Sequence, residues 1–290
     1  MGRGPLTAPL KLPQFTVVAF MPISPVLSDP TNSNTTPNSG TPTSKGNARQ
    51  GETGYSATGS AVDFISKLVI LAALLAAMQL QSLPLLALEF LYAIGLYIFI
   101  ALVMSCMGIA VVGILNLQIA PHFDRPFLSS SFTDFWSRRW NLNTGYTMRF
   151  CVYDPICEGR LVKKLDAGGP PGQRISFSRR AAAVCASFLV SGILHENFII
   201  YLRGRVSGYW LAFFGLQGPI IIFESVTRRW LKSRNISISS FIAIPLTLGL
   251  MLMMGHMLFF PDIARMGIID QVVGNLSELL AVGKGAAALH

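Results

Sequence analysis

Charge is what this chain has least of. Only 13% of its 290 residues are Asp, Glu, Lys or Arg, against about a quarter in an ordinary soluble domain. That shortage excludes a water-soluble globule, whose outer surface has to be polar. Cysteine is scarce too. The four present, Cys106, Cys151, Cys157 and Cys185, lack metal-ligand spacing and fall in or near apolar runs, so neither a disulfide framework nor a zinc site is indicated. A secretory signal is not visible, because Met1 leads into Gly2 and Pro5 instead of a basic segment and an uninterrupted apolar one. The net charge of +9 comes from cations lying in loops between apolar runs, not along one soluble face, so a nucleic-acid partner is not expected.

What the chain does have is hydrophobic length. At 51% hydrophobic residues it reads as an all-α, polytopic transmembrane helical bundle. Residues 1–60 stand apart: QFTVVAFMPISPV is interrupted by proline and suits an interfacial segment, and Asp29 to Ser60 is a Ser-, Thr-, Asn-, Gly- and Pro-rich linker with almost nothing to bury. Residues 61–290 form the membrane domain. Five spans are expected there: Phe64 to Leu80, Leu85 to about Ile119, Ala181 to Leu202, Tyr209 to Val226, and Phe241 to Phe260. The tail beyond Pro261, with Leu276, Leu279 and Leu280, suggests a short amphipathic helix. Lysine and arginine crowd the segment from Pro121 to Arg180 and the turn after Val226, which places both in the cytosol and the Arg203 to Ser207 loop on the opposite side.

The third of these spans, AAAVCASFLVSGILHENFIIYL, carries His195 and Glu196 in its second half. As a helix it measures roughly 33 Å, against a hydrocarbon core of about 30 Å, so His195 is expected within the membrane. An ionisable residue at that depth is read as functional, or else as a histidine tied to a neighbouring helix by one hydrogen bond. Ser187 and Ser191 precede it at spacings of four, giving one small, polar face that can line a cavity. HENFI has no second histidine four residues on, which argues against a zinc-protease helix.

In the cytosolic loop, SSSFTDFWSRRWNLNTGYTMRFCVYDPI begins with a capping-box pattern, Ser131 and Asp134, so a helix is expected from near Phe132. Trp136 and Trp140 fall four apart as membrane-interface anchors do, and Asn141 shares a face with Ser137, Arg138, Thr144 and Gly145. Taken alone, this favours an amphipathic helix lying on the membrane with its arginines on lipid phosphates.

HFDRPFLSSSFTDFWSRRWNLNTGYTMRFCVYDPI resembles the signature region of plant-type wax synthases, an FWxRRWN core followed by an arginine and VYxP, and FLVSGILHENFIIYL resembles their second signature, a VSGxxHE helix. These enzymes belong to the membrane-bound O-acyltransferase superfamily. Ser137 stands where wax synthases commonly have glycine. The family usually has further membrane helices ahead of the segment that QFTVVAFMPISP resembles, so the bundle is expected to be N-terminally short.

The resemblance implies an acyl-CoA-dependent acyltransferase of the endoplasmic reticulum that esterifies a long-chain alcohol or, in close relatives, a sterol. It makes His195 and Asn141 the catalytic pair. The bilayer disfavours a charged imidazolium, so His195 is expected neutral and able to act as a general base, with Asn141 stabilising an oxyanion or holding the imidazole and substrate in line. Glu196, Ser191 and Trp140 are expected to support them. Arg138, Arg139 and Arg149 lie on the cytosolic side, where the phosphates of coenzyme A would arrive. Acyl-CoA is then a co-substrate and no permanently bound cofactor or metal is expected, the other partners being the lipid alcohol or sterol and membrane lipids. A different class, a lipid-binding or transport protein, would need only the polar stripe and the basic mouth.

Overall fold

The computed structural model describes residues 57–78, 83–115, 122–159 and 175–267, together with Gln271 and Gly274. The expected interfacial segment, most of the linker and the tail leucines lie outside these. Among the described residues all regular structure is helical: α1 (Ala57–Met78), α2 (Leu85–Leu115), α3 (Phe132–Asp134), α4 (Leu142–Met148), α5 (Asp154–Glu158), α6 (Phe177–Arg203), α7 (Tyr209–Ser233), α8 (Ser240–Met254) and α9 (Phe260–Met266). Three π turns join some of them, Phe135–Arg139 after α3, Arg149–Tyr153 after α4, and Gly255–Phe259 between α8 and α9. Helix α1 starts inside the stretch read as linker, which therefore ends before Ala57 and not at Ser60.

Four helical stretches among the described residues are long and apolar enough to cross a membrane: Leu85–Ile109, Phe177–Arg203, Tyr209–Ser233 and Ser240–Met266. They match four of the five expected spans. The fifth, Phe64 to Leu80, falls on α1, and its last two residues lie outside the described set. Large apolar side chains such as Phe223, Phe241 and Phe198 are exposed on these helices, as they must be where the solvent for the outer face is lipid.

Residues 57–68 and 100–115 make one compact unit, and the other described residues make a second. In the first, Lys67 bridges to Asp63 at 2.5 Å and donates to Ser105 at 3.4 Å, so its ammonium is neutralised within the unit. The second unit is built on the antiparallel pair α6 and α7, joined by the short loop from Gly204 to Gly208. Glycine lets these helices close up. A Cβ on Gly218 would stand 2.9 Å from the Cys185 Cα, and one on Gly192 would stand 3.1 Å from the Leu211 carbonyl oxygen. Such small-residue contacts replace the hydrophobic driving force that lipid cannot supply.

The FWSRRWN stretch lies against α7 at two levels. Glu224 accepts from the Thr133 amide at 3.2 Å and Arg228 donates to the Ser130 carbonyl, while about two helical turns before Glu224, Trp136 Nε1 donates to Gln217 at 3.0 Å. Gln217 is fully buried, and its own amide donates to the Phe213 carbonyl at 3.2 Å. These bonds fix the loop motif on the helix pair that carries His195.

Candidate active site

The upstream motif starts as its capping pattern predicts. The Ser131 hydroxyl accepts from the Asp134 amide at 2.8 Å, and the Asp134 carboxylate turns back to the Ser130 amide at 3.2 Å. Beyond Asp134 the expected continuous helix does not form. The chain widens into the π turn Phe135–Arg139, leaves helical geometry at Trp140, and restarts at Asn141, which sits in the left-handed region at φ 42° and caps α4 by accepting from the Thr144 amide at 3.3 Å. Asparagine is among the few non-glycine residues that adopt this conformation readily and cap well. Asn141 is thus at a corner between two helices, and the shared face expected for Ser137, Arg138, Asn141, Thr144 and Gly145 is divided by that break.

The two tryptophans are half-buried, and both pack on neighbouring aromatic rings. Trp140 stacks on Phe135 with centroids 5.3 Å apart and meets Phe123 edge-on at the same separation. Trp136 packs edge-on against Phe188 of α6 at 5.6 Å and lies 5.9 Å from Phe214 of α7.

His195 stands half-buried on α6. Its Nδ1 lies 2.7 Å from the Ser191 carbonyl oxygen. A carbonyl only accepts, so Nδ1 carries the proton and Nε2 keeps its lone pair. The contact between Ser191 and His195 is made by the Ser191 backbone. Phe214 stacks on the imidazole at 3.9 Å with an interplanar angle of 28°, and Trp210 meets it at 5.9 Å. Phe214 thus touches both Trp136 from the upstream motif and His195. His195 and Asn141 share no hydrogen bond; what links their segments is this run of aromatic rings.

Glu196, adjacent in sequence, has a different environment. About 100° round the helix from His195, its buried carboxylate accepts from the Ser207 and Gly208 amides, both at 2.6 Å, and from the Leu211 amide at 3.3 Å. It caps the start of α7 from a neighbouring helix, satisfying amides that a helix N-terminus leaves unpaired.

The three arginines are placed unequally. Arg139 is held by Asp134 at 2.8 Å and by the carbonyls of Asp124 and Arg125, both at 3.3 Å. Arg149 is 71% exposed, with Asp154 3.5 Å away. Arg138 is exposed and has no partner among the described residues. Near them, burial and then a hydrogen bond with Cys157 push the Tyr153 phenol above its ordinary value, so it stays protonated.

Sequence reasoning underrated one pair. Glu89 is buried in α2 and lies 2.7 Å from His256 Nδ1 on the π turn Gly255–Phe259. That turn also presents Phe259, which stacks on Trp210 at 4.6 Å and accepts from the Trp210 indole at 3.0 Å, so it packs against the aromatic wall of His195. A glutamate on a helix that is otherwise apolar on all sides was the available signal, because a carboxylate there demands a partner. Phe214 and Trp210 carried no such signal.

The sequence model of the membrane bound O-acyl transferase family matches residues 119–216, a window holding Asn141, His195, Trp210 and Phe214. Acyl-CoA--sterol O-acyltransferase 1 of Arabidopsis thaliana is 29% identical over 302 residues, covering 100% of this chain and 76% of that protein. Probable long-chain-alcohol O-fatty-acyltransferase 8 of Arabidopsis thaliana is 30% identical over 204 residues, 69% of this chain and 56% of the relative. Long-chain-alcohol O-fatty-acyltransferase of Simmondsia chinensis is 28% identical over 207 residues, 71% of this chain and again 56% of the relative. The chain thus spans only a little over half the length of these two long-chain-alcohol relatives.

Proposed function

We propose that this chain, wax-synthase-like in sequence, is a member of the membrane-bound O-acyltransferase family that transfers a fatty acyl group from acyl-CoA to a long-chain alcohol, forming a wax ester. The observation that carries this reading is the contact of His195 Nδ1 with the Ser191 carbonyl. With Nδ1–H bound to the Ser191 carbonyl at 2.7 Å, Nε2 is left as an acceptor inside an aromatic surround. Nε2 takes the hydroxyl proton as the alcohol oxygen attacks the thioester carbonyl. The tetrahedral intermediate then collapses, the C–S bond breaks, and the departing thiolate of coenzyme A recovers the proton from the imidazolium.

Asn141 is assigned to the oxyanion. Its side-chain oxygen is engaged in capping α4, so its amide nitrogen is the group that can donate to the charge on the former carbonyl. Arg138 and Arg149 are assigned to the phosphates of coenzyme A, because they are the exposed guanidiniums of the motif. Arg139 is a weaker candidate, its donors being directed at Asp134 and the 124–125 turn. Glu196 supports the site by fixing α7, and with it Phe214 and Trp210, against α6. Residence in the endoplasmic reticulum is part of the same proposal.

A sterol acceptor is the second reading. It is favoured by the similarity to the sterol O-acyltransferase, which runs the full length of this chain and covers 76% of that protein. Membranes expressing the chain, supplied with labelled acyl-CoA and a panel of long-chain alcohols and sterols, distinguish the two. Wax esters are the expected product, sterol esters alone select the second reading, and acyl-CoA binding without ester formation overturns both.

A further inference from the structure

Three arginines gather at the end of α6, away from the FWSRRWN motif. Arg203, Arg205 and Arg265, with Leu202 and Met266, line a cavity of ≈ 470 Å³ between the end of α6 and the end of α9, within the usual range for small-ligand sites, about 300–1,000 Å³. The carboxylate that faces them is Asp262, which is fully buried. Its Oδ1 accepts from Arg203 at 2.8 Å and lies 3.6 Å from the Arg265 guanidinium, and its Oδ2 accepts from the Ser207 hydroxyl. The next carboxylate, Glu196, is turned to the amides of Ser207, Gly208 and Leu211. Among the described residues, three cations therefore meet one available anion.

If the cluster existed only to pin the loop, Arg203, Ser207 and Asp262 would suffice. Arg265 is nonetheless brought in and braced, its guanidinium 4.7 Å over the Tyr209 ring and 3.5 Å from the Tyr209 hydroxyl. Arg205 is exposed and has no partner among the described residues. A buried aspartate holding one arginine and approached by a second arranges their remaining donors in advance, and guanidinium geometry suits phosphate oxygens. The cavity also lies where two membrane-crossing stretches, Phe177–Arg203 and Ser240–Met266, come to their ends. Basic pockets between such helices are suited to lipid headgroups, and Leu202 and Met266 give this one an apolar edge.

We propose that the Arg203, Arg205 and Arg265 cavity is a phosphate-binding site, separate from the transfer site and on the side of the membrane opposite the FWSRRWN motif, that takes the phosphate of an anionic phospholipid headgroup. The site is argued without reference to acyl transfer, so its failure leaves the acyltransferase proposal as it stands. Its test uses the full chain, purified in a phosphate-free maltoside detergent. Binding is measured in one arm against mixed micelles of phosphatidylglycerol and in another against coenzyme A, for the parent, Arg205→Gln with Arg265→Gln, and the control Arg234→Gln. Both substituted arginines are largely exposed, and equal melting temperatures establish that the variants fold.

The double variant is expected to bind phosphatidylglycerol at least about tenfold more weakly, since hydrogen bonds to charged groups are typically worth 1.5–3 kcal/mol and 1.4 kcal/mol is a factor of ten. Arg234→Gln should match the parent. Coenzyme A, which arrives at the opposite side, should bind parent and double variant alike. Equal phosphatidylglycerol binding by parent and double variant, no saturable phosphatidylglycerol binding by the parent, or a loss confined to coenzyme A overturns the proposal.

Discussion

His195 and Glu196 are neighbours on α6, yet they belong to regions built on opposite plans. Around Glu196 every polar group is answered: its carboxylate holds three amides of the next helix, and Asp262 beyond it holds Arg203 and Ser207. Around His195 one bond to a carbonyl of its own helix sets the tautomer, and the rest of the ring meets aromatic faces. In a bilayer, saturated polar groups give a rigid joint. A polar atom left open in an apolar wall is available for chemistry. The comparison teaches that position within the membrane does not by itself mark an ionisable residue as catalytic, because two adjacent ones here have opposite surroundings.

If the contrast holds, substitutions on the saturated side should damage folding and those on the open side should damage turnover. The largest folding effect is expected at Asp262→Ala, which leaves the Arg203 guanidinium in a buried place without its carboxylate. Removing one partner of a buried pair typically costs about 3–5 kcal/mol, and thermal unfolding in detergent would register it as a large fall in melting temperature. An unchanged melting temperature would mean that the cluster is not a structural joint.

Asn141→Ala comes next and should act on turnover, by about 2.7–4 kcal/mol of transition-state stabilisation if its amide is the oxyanion donor. Asn141→Asp sharpens the point, since it keeps the capping oxygen and removes the N–H donor. Ester formation should then fall with little change in stability. A variant that folds like the parent and turns over like it would remove Asn141 from the mechanism.

Gly218→Ala should be milder. The new methyl would meet Cys185 backbone at 2.9 Å, so α6 and α7 must separate slightly, an overpacking cost of about 1–3 kcal/mol. Melting temperature should drop, and turnover per folded molecule should drop with it if Phe214 moves away from His195. The smallest effect is expected at Arg138→Gln, which should raise KM for acyl-CoA by about tenfold, the loss of one charge-assisted contact, while leaving kcat and stability alone. A changed kcat with an unchanged KM would place Arg138 elsewhere in the reaction.

Much of this was readable in the residues themselves. The length and apolarity of Ala181 to Leu202 placed His195 on a spanning helix, and Ser131 with Asp134 marked a helix start. Both are local signals, and local signals survive folding. The break at Trp140 and Asn141 was hidden because a π turn adds a residue within a helical run without a sequence mark, which defeats any argument from spacing. The packing of Trp136 and Trp140 was hidden for a related reason: their amphipathic rings suit a membrane interface and a packed aromatic cluster equally well, and the contacts with Phe188, Phe214 and Phe135 join residues distant in the chain or across the break. Glu89 with His256, and Arg203 with Asp262, join residues far apart in the chain. Each member announced a need for a partner, and none could name it.

The central claim is that His195 has its chemistry to itself while Glu196 holds the fold. The most direct measurement is ester formation per folded molecule by His195→Gln, made beside Glu196→Gln in the same membranes. Glutamine keeps hydrogen bonding and much of the volume of histidine but cannot take up and return a proton. The account predicts that His195→Gln melts like the parent and makes ester at least about a hundredfold more slowly, while Glu196→Gln melts lower and keeps most of its turnover per folded molecule. Near-parental ester formation by a well-folded His195→Gln would contradict it.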